Sequence, residues 1–155
     1  MLRITKILLI LLLTISSVKA NEIINKIVIN GNQRISEETI KIYGEIDKNQ
    51  KINENEINLI IKNLYSTNFF EDVDVSYSNK ILTINLKEYP IVNQLIIIGE
   101  KSSNIKNQIK KLISLKEKRS FIKSKLSNDL EIIKTLYASI GYNFSIVEAK
   151  IKEID

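Results

Sequence analysis

Two stretches of this 155-residue chain read almost alike, 72 positions apart. They are Ile60-Ile61-Lys62-Asn63-Leu64-Tyr65 and Ile132-Ile133-Lys134-Thr135-Leu136-Tyr137. Each carries apolar residues on one face at helical spacing. The first is followed by a break at Ser66-Thr67-Asn68, the aromatic pair Phe69-Phe70, and a stretch in which Val73, Val75 and Tyr77 alternate with Asp72, Asp74 and Ser76. A second echo lies upstream, where Ile27 to Gly31 matches Leu95 to Gly99 at a spacing of 68. A helix-to-strand unit that recurs confines the chain to two copies of one small module.

The first copy reads strand, helix, helix, strand, strand. Ile27 and Ile29 alternate with Lys26, Val28 and Asn30, and Gly31-Asn32 supplies residues that tolerate a turn. Ser36 caps a short helix with Glu37 and Glu38 in its positive first turn, ending near Gly44. Asn53 with Glu56, flanked by Ile52 and Ile57, starts a stronger helix with a capping box and a hydrophobic staple. The half-buried strand Glu71 to Ser78 and a strand with inward Leu82, Ile84 and Leu86 follow, joined by a turn at Ser78-Asn79-Lys80.

The second copy opens on a strand through Leu95 to Ile98. Ser102 or Ser103 caps a helix carrying Ile105, Ile109, Leu112 and Ile113. A further helix sets Leu126, Asp129, Ile133 and Tyr137 on one face and ends in a left-handed cap at Gly141. Val147, Ala149 and Ile151 alternate as a strand. The counterpart of Leu82 would be residue 154, so the expectation is a second copy truncated before its last strand, in a fragment of a longer protein. The single proline, Pro90, marks the junction. The expected domains are residues 1–20, 21–89 and 90–155.

Composition excludes much chemistry. There is no Cys and no His, hence no thiol nucleophile, imidazole base or disulfide. No phosphate loop or nucleophile with its base is present, so an enzyme finds no support and no cofactor or metal is expected. Arg3 and Lys6 precede the apolar run Ile7 to Leu13, and Val18-Lys19-Ala20 places small residues ahead of a cut. This is the layout of a secretory signal peptide cleaved between Ala20 and Asn21. The apolar run falls short of the roughly 20 residues a membrane-spanning helix needs. Arg3, Lys6 and Lys19 leave with the signal, so 23 basic residues become 20 against 18 acidic, and the charge of +5 falls to about +2. That small excess argues for no nucleic-acid partner.

Several side chains invite a chemical role that a plainer one explains. Glu37-Glu38 suits a helix first turn. Asp72 and Asp74 suit a wet strand face. Phe69 and Phe70 suit a plug where helix meets strand. The basic stretch Lys106, Lys110, Lys111, Lys116, Lys118 and Arg119 suits a solvated helix face and loop. Tyr65 and Tyr137 occupy matching repeat positions, which argues packing.

The motifs in their order resemble polypeptide-transport-associated (POTRA) domains, most of all the first two such domains of the bacterial outer-membrane protein assembly factor family. Ile29-Asn30-Gly31-Asn32-Gln33-Arg34-Ile35 fits the family's opening strand and turn. Leu64-Tyr65-Ser66-Thr67-Asn68-Phe69-Phe70-Glu71-Asp72-Val73-Asp74-Val75 fits the helix end and second strand. Lys87-Glu88-Tyr89-Pro90 resembles the junction, and Leu126, Asp129, Ile133, Tyr137 and Gly141-Tyr142 resemble the second domain's last helix.

The resemblance implies an α+β fold of tandem β-α-α-β-β modules, each a three-stranded mixed sheet packed by two helices with the third strand central. It implies a chain exported to the periplasmic side of the outer membrane that receives unfolded outer-membrane proteins. Periplasmic chaperones, other assembly-complex subunits, further POTRA modules and a C-terminal barrel are the partners it implies. The implied binding edge is the second strand, Glu71, Asp72, Val73, Asp74, Val75, Ser76, Tyr77 and Ser78, where backbone pairing gives affinity without demanding sequence. Two alternatives stand beside it. One is the POTRA region of another translocator, such as a two-partner secretion transporter or a paralogous assembly factor. The other is a KH-like nucleic-acid module, which Lys48-Asn49-Gln50-Lys51 opposes by lacking a Gly-x-x-Gly loop.

Overall fold

The computed structural model describes residues 22–154. The expected signal peptide, residues 1–20, and its expected cleavage between Ala20 and Asn21 lie outside the described residues. Those described divide into two compact units, one drawn from residues up to Leu64 with Val73–Asn85, the other from Tyr65–Asp72 with Leu86 onward. Among the described residues no helix is long and apolar enough to cross a membrane.

The first unit holds β1 (Glu22–Ile23), β2 (Lys26–Asn30), α1 (Glu37–Gly44), β3 (Lys51–Ile52) and most of α2 (Glu54–Ser66), β4 (Phe70–Ser78) and β5 (Ile81–Glu88). Local signals start and stop these elements. The Ser36 hydroxyl accepts from the Thr39 amide at 3.2 Å to cap α1. The Asn53 side chain accepts from the amides of Asn55 and Glu56 at 2.8 and 3.3 Å to cap α2. Asn68, with φ of 58°, turns the chain out of α2. Asn79 and Lys80 both take positive φ, 51° and 63°, the type I′ geometry that joins two antiparallel strands through a two-residue loop.

The strand order is β2-β5-β4, with β2 parallel to β5 in the register Lys26↔Ile81 to Asn30↔Asn85. A mixed sheet with the last strand central is what the resemblance implies. Alternation along the strands sends Ile29, Val73, Val75, Leu82, Ile84 and Leu86 inward, where they are buried with Ile40, Ile60 and Leu64 of the two helices. Each such side chain contributes about 1.5–3 kcal/mol by leaving water. The other sheet face is polar and carries a hydrogen-bonded row across all three strands. Asn30 donates to Asn85 at 2.9 Å, and Asn85 donates to Asp74 at 3.0 Å.

The second unit holds α3 (Ser103–Leu112) and α4 (Lys123–Ser139). Ser102 is the cap of α3, accepting from the Ile105 amide at 3.4 Å. Gly141, with φ of 94°, ends α4, and the Gly141 and Tyr142 amides return to Ala138 and Tyr137 at 3.1 and 2.9 Å. The repeat extends to backbone hydrogen bonds. In the first unit the Ile24 amide donates to Gln50 and the Asn49 amide to Ile24, at 3.0 and 2.8 Å. In the second, the Val92 amide donates to Arg119 and the Lys118 amide to Val92, at 2.8 and 2.7 Å. Asn49 and Lys118, at the matching turns, share positive φ of 71° and 61°.

One expectation for the second unit differs. Leu95 to Ile98 and Val147 to Ile151 form no strand among the described residues; the isolated pair Ile91↔Ser120 is the ladder recorded there. The strand order of the first unit gives the reason. β2 and β4 each pair with β5 and never with each other. Segments in the positions of β2 and β4 therefore have no ladder partner until a central strand lies between them.

Candidate functional site

β4 lies at one end of the three-strand order, as the expected edge requires. Along it Val73 and Val75 are buried, Tyr77 is half-buried, and Glu71, Asp72, Asp74, Ser76 and Ser78 are exposed. The alternation slips between Phe70 and Val73, both buried with two exposed residues between them. Phe70 is fully buried and meets Phe69 edge-on at 6.2 Å, so the pair packs the helix-to-strand turn.

The acidic side chains of β4 are individually held. Glu71 pairs with Lys87 at 2.7 Å and holds that ammonium above its ordinary pKa. Asp72 accepts from the Tyr65 hydroxyl at 3.2 Å, and Asp74 accepts from Asn85. The Tyr77 hydroxyl donates to the Ile23 carbonyl at 3.0 Å, and burial first, Glu22 second, raise its pKa. These bonds fix the side chains along the strand. Among the described residues no three His, Cys, Asp or Glu side chains gather where they would hold a metal ion.

Sequence reasoning named one edge, and the sheet has two. The Lys26 amide donates to Lys80 at 3.3 Å in the parallel register. Lys26, Val28 and Asn30 thus turn their peptide groups towards β5, and those of Ile27 and Ile29 face outward. An open groove of about 440 Å³ runs beside β2, lined in part by Ile27, Lys41, Ile42 and Ile46. The strand pattern alone held no signal for this groove, because it arises where α1 returns past β2.

A second feature also escaped the sequence. Asp129 is the one buried polar residue among those described. Its carboxylate accepts from the Ser114 and Leu115 amides at 2.7 and 2.8 Å and from the Ser114 hydroxyl at 2.9 Å. Nearby, Glu100 accepts from the Ser102 amide at 2.6 Å and from the Tyr137 hydroxyl. The Tyr137 bond, with the Ser102 amide next, holds Glu100 below its ordinary pKa; burial and then Glu100 push Tyr137 up to about 12. These are structural ties between α3, its following loop and α4.

A strand, two helices and two strands, closed by a central last strand between two edge strands, define a small β-α-α-β-β module. Matching turn bonds in both units mark it as tandem. The chain belongs to the POTRA family, described as the surface antigen variable number repeat, which matches residues 22–89 and 90–155. It is 26% identical over 136 residues to the outer membrane protein assembly factor BamA of Neorickettsia risticii (strain Illinois), covering 88% of this chain and 18% of the relative. It is 30% identical over 83 residues to the protein of that name from Buchnera aphidicola subsp. Acyrthosiphon pisum (strain APS), covering 52% and 14%. The N-terminal domain of Omp85 from Thermosynechococcus elongatus has the same fold, with a TM-score of 0.52 at 17% identity over 77% of this chain and 52% of that one. The chain thus spans less than a fifth of the length of these curated relatives.

Proposed function

We propose that this chain is a periplasmic substrate-receiving and scaffold region of the machinery that assembles outer-membrane β-barrel proteins. It binds unfolded outer-membrane proteins by adding their strands to the outer edge of β4 at Val75 and Tyr77. Family membership together with assembly-factor relatives supports the coarse role. The terminal position of β4 is the single observation that carries the binding mode. In a hairpin closed by a two-residue turn, alternate residues bond across the pair. Ser78, Ser76 and Asp74 then face β5, and the peptide groups of Val75 and Tyr77 face out. Backbone pairing at such an edge accepts many sequences, which suits a receptor for many clients.

Modules of this kind, membership of a longer chain with a barrel, and contacts with chaperones and other assembly subunits belong to the same proposal. The polar outward side chains, Asp72, Asp74 and Ser76, discourage edge-to-edge pairing between copies.

Peptides copied from outer-membrane strands, each made with and without N-methyl groups along one edge, test the mode. Loss of binding on N-methylation at one edge supports strand addition. Equal binding with and without it means that side chains do the recognising, and the edge mode fails. The β2 edge is the competing position, and binding felt at Ile27, Ile29 and Ile42 would move the site there.

A further inference from the structure

The two units share a stretch that folds alike and differs in charge. Residues 37–50 and 106–119 correspond at a spacing of 69. Ile40, Gly44 and Ile46 are buried, and so are Ile109, Ile113 and Leu115 in the matching places. Asn49 and Lys118 share the positive φ of the turn, 71° and 61°. The first stretch carries four acidic and two basic side chains, the second one acidic and six basic. The same helix, loop and turn thus form with either sign, so the fold does not require the lysines of the second stretch.

The cations are gathered and open to solvent. Lys110 and Lys111 stand in the last turn of α3, with Lys116, Lys118 and Arg119 on the loop after it, and all five are exposed. The Lys116 ammonium donates to the Lys110 carbonyl, which folds the loop back onto the helix end. The Arg119 amide donates to the Lys116 carbonyl at 3.3 Å, so the three loop cations share one tight turn. That turn is held by Val92, which accepts from the Lys118 amide at 2.7 Å and donates to the Arg119 carbonyl at 2.8 Å. The ion pairs recorded among the described residues, Lys41–Glu37, Lys87–Glu71 and Lys134–Glu131, include none of the five. Glu117, the one acid of the stretch, accepts from the Leu95 amide at 2.9 Å. Leu112, between these cations in sequence, is 51% exposed. Its counterpart Tyr43 is 50% exposed in the first unit, where the three-stranded sheet is formed, so this exposure belongs to the helix face and not to the sheet.

The chemistry of the patch indicates its partner. Four of the five cations are Lys, point charges on flexible stems that suit a diffuse layer of phosphates. The planar fork of Arg suits fixed pairing with single carboxylates. An apolar side chain set among lysines suits a bilayer interface, where the stems lie along apolar surface and the ammonium groups reach the headgroups. We propose that the end of α3 and the loop to Arg119 bind the surface of an anionic lipid bilayer. Lys110, Lys111, Lys116, Lys118 and Arg119 meet headgroup phosphates, and Leu112 enters the interface. This surface does not involve the β4 edge, and either reading can fail without the other.

Sedimentation of residues 21–155 with lipid vesicles tests it. The vesicles are phosphatidylcholine, alone or with an equal part of phosphatidylglycerol. Binding to the mixed vesicles exceeds binding to phosphatidylcholine by about tenfold or more and falls as salt rises. The variant Lys116→Asp with Lys118→Asn and Arg119→Gln takes the first unit's residues at these places and loses that excess. Lys150→Asp with Lys152→Asp makes the same change in net charge at exposed positions outside the loop, and it loses less. The chain has no Trp, so Leu112→Trp is a single fluorophore, and its readout does not depend on the loop variant. Its emission shifts to the blue on the mixed vesicles. Equal binding to the two kinds of vesicle overturns the proposal, as does equal loss in the two charge variants. An unmoved Leu112→Trp emission at saturation overturns it as well. So does polyglutamate binding as tight as that of the mixed vesicles, because an acidic protein is then the partner.

Discussion

Asn85 donates to Asp74 across 3.0 Å while accepting from Asn30 at 2.9 Å, so one amide side chain ties the central strand to both edges. The row sits on the wet face and acts on register more than on stability. Asn85→Ala costs about 1 kcal/mol in urea unfolding, since two exposed hydrogen bonds are lost and no buried group is left unpaired. Asp74→Ala costs less, because Asn85 keeps its bond to Asn30. An Asn85→Ala loss above about 3 kcal/mol contradicts this account of the row.

Asp129 is predicted to be the most sensitive polar side chain of the second unit. Replacing it with Ala strands two amides and a hydroxyl in a buried site, at about 3 kcal/mol. Asp129→Asn keeps one acceptor oxygen and loses less. Thermal melts of the two variants, with the Ala variant lower, check the order.

Tyr137→Phe tests the tie to Glu100 through its pH dependence. Glu100 titrates below its ordinary value of 4.5 in the folded chain, so its contribution is present above that pH and is lost as pH falls through the lowered value. Tyr137 is raised from 10.0 to about 12, so its contribution is whole below pH 10 and is lost as pH rises through about 12. Wild type is the more stable of the two near neutrality. The two stability curves converge in acid and again between pH 10 and 12. A constant gap across that range would mean the hydroxyl bond contributes nothing.

Gly44 ends α1 where a Cβ would lie 2.6 Å from Cδ1 of buried Ile46. Gly44→Ala costs about 1–2 kcal/mol by forcing that side chain off its rotamer. Ile46→Val removes the nearer carbon and leaves the Cγ1 position, at 2.9 Å, so the double variant loses somewhat less than the sum of the single ones. Additive losses in a double-mutant cycle would place the strain elsewhere.

Local signals were legible in the sequence because their partners are near neighbours. Ser36, Asn53, Ser102 and Gly141 cap helices through bonds spanning two to five residues. The inward stripe Val73 and Val75, and that of Leu82, Ile84 and Leu86, followed from period two. Strand order did not, since placing β5 between β2 and β4 depends on pairings across 55 residues; the resemblance supplied it. The role of Asp129 was hidden for the same reason, because it caps loop amides 14 and 15 positions away. The alternating segments of the second unit were visible as patterns, yet a pattern forms a ladder only where a partner strand stands beside it. The groove beside β2 left no mark in any single stretch.

Backbone amide shifts of residues 21–155, titrated with an unfolded outer-membrane strand peptide, test the central claim most directly. Strand addition at β4 predicts that the Val75 and Tyr77 amides move downfield and become protected from exchange, while the inward-bonded Asp74 and Ser76 amides change little. Saturable binding that leaves Val75 and Tyr77 unmoved contradicts it.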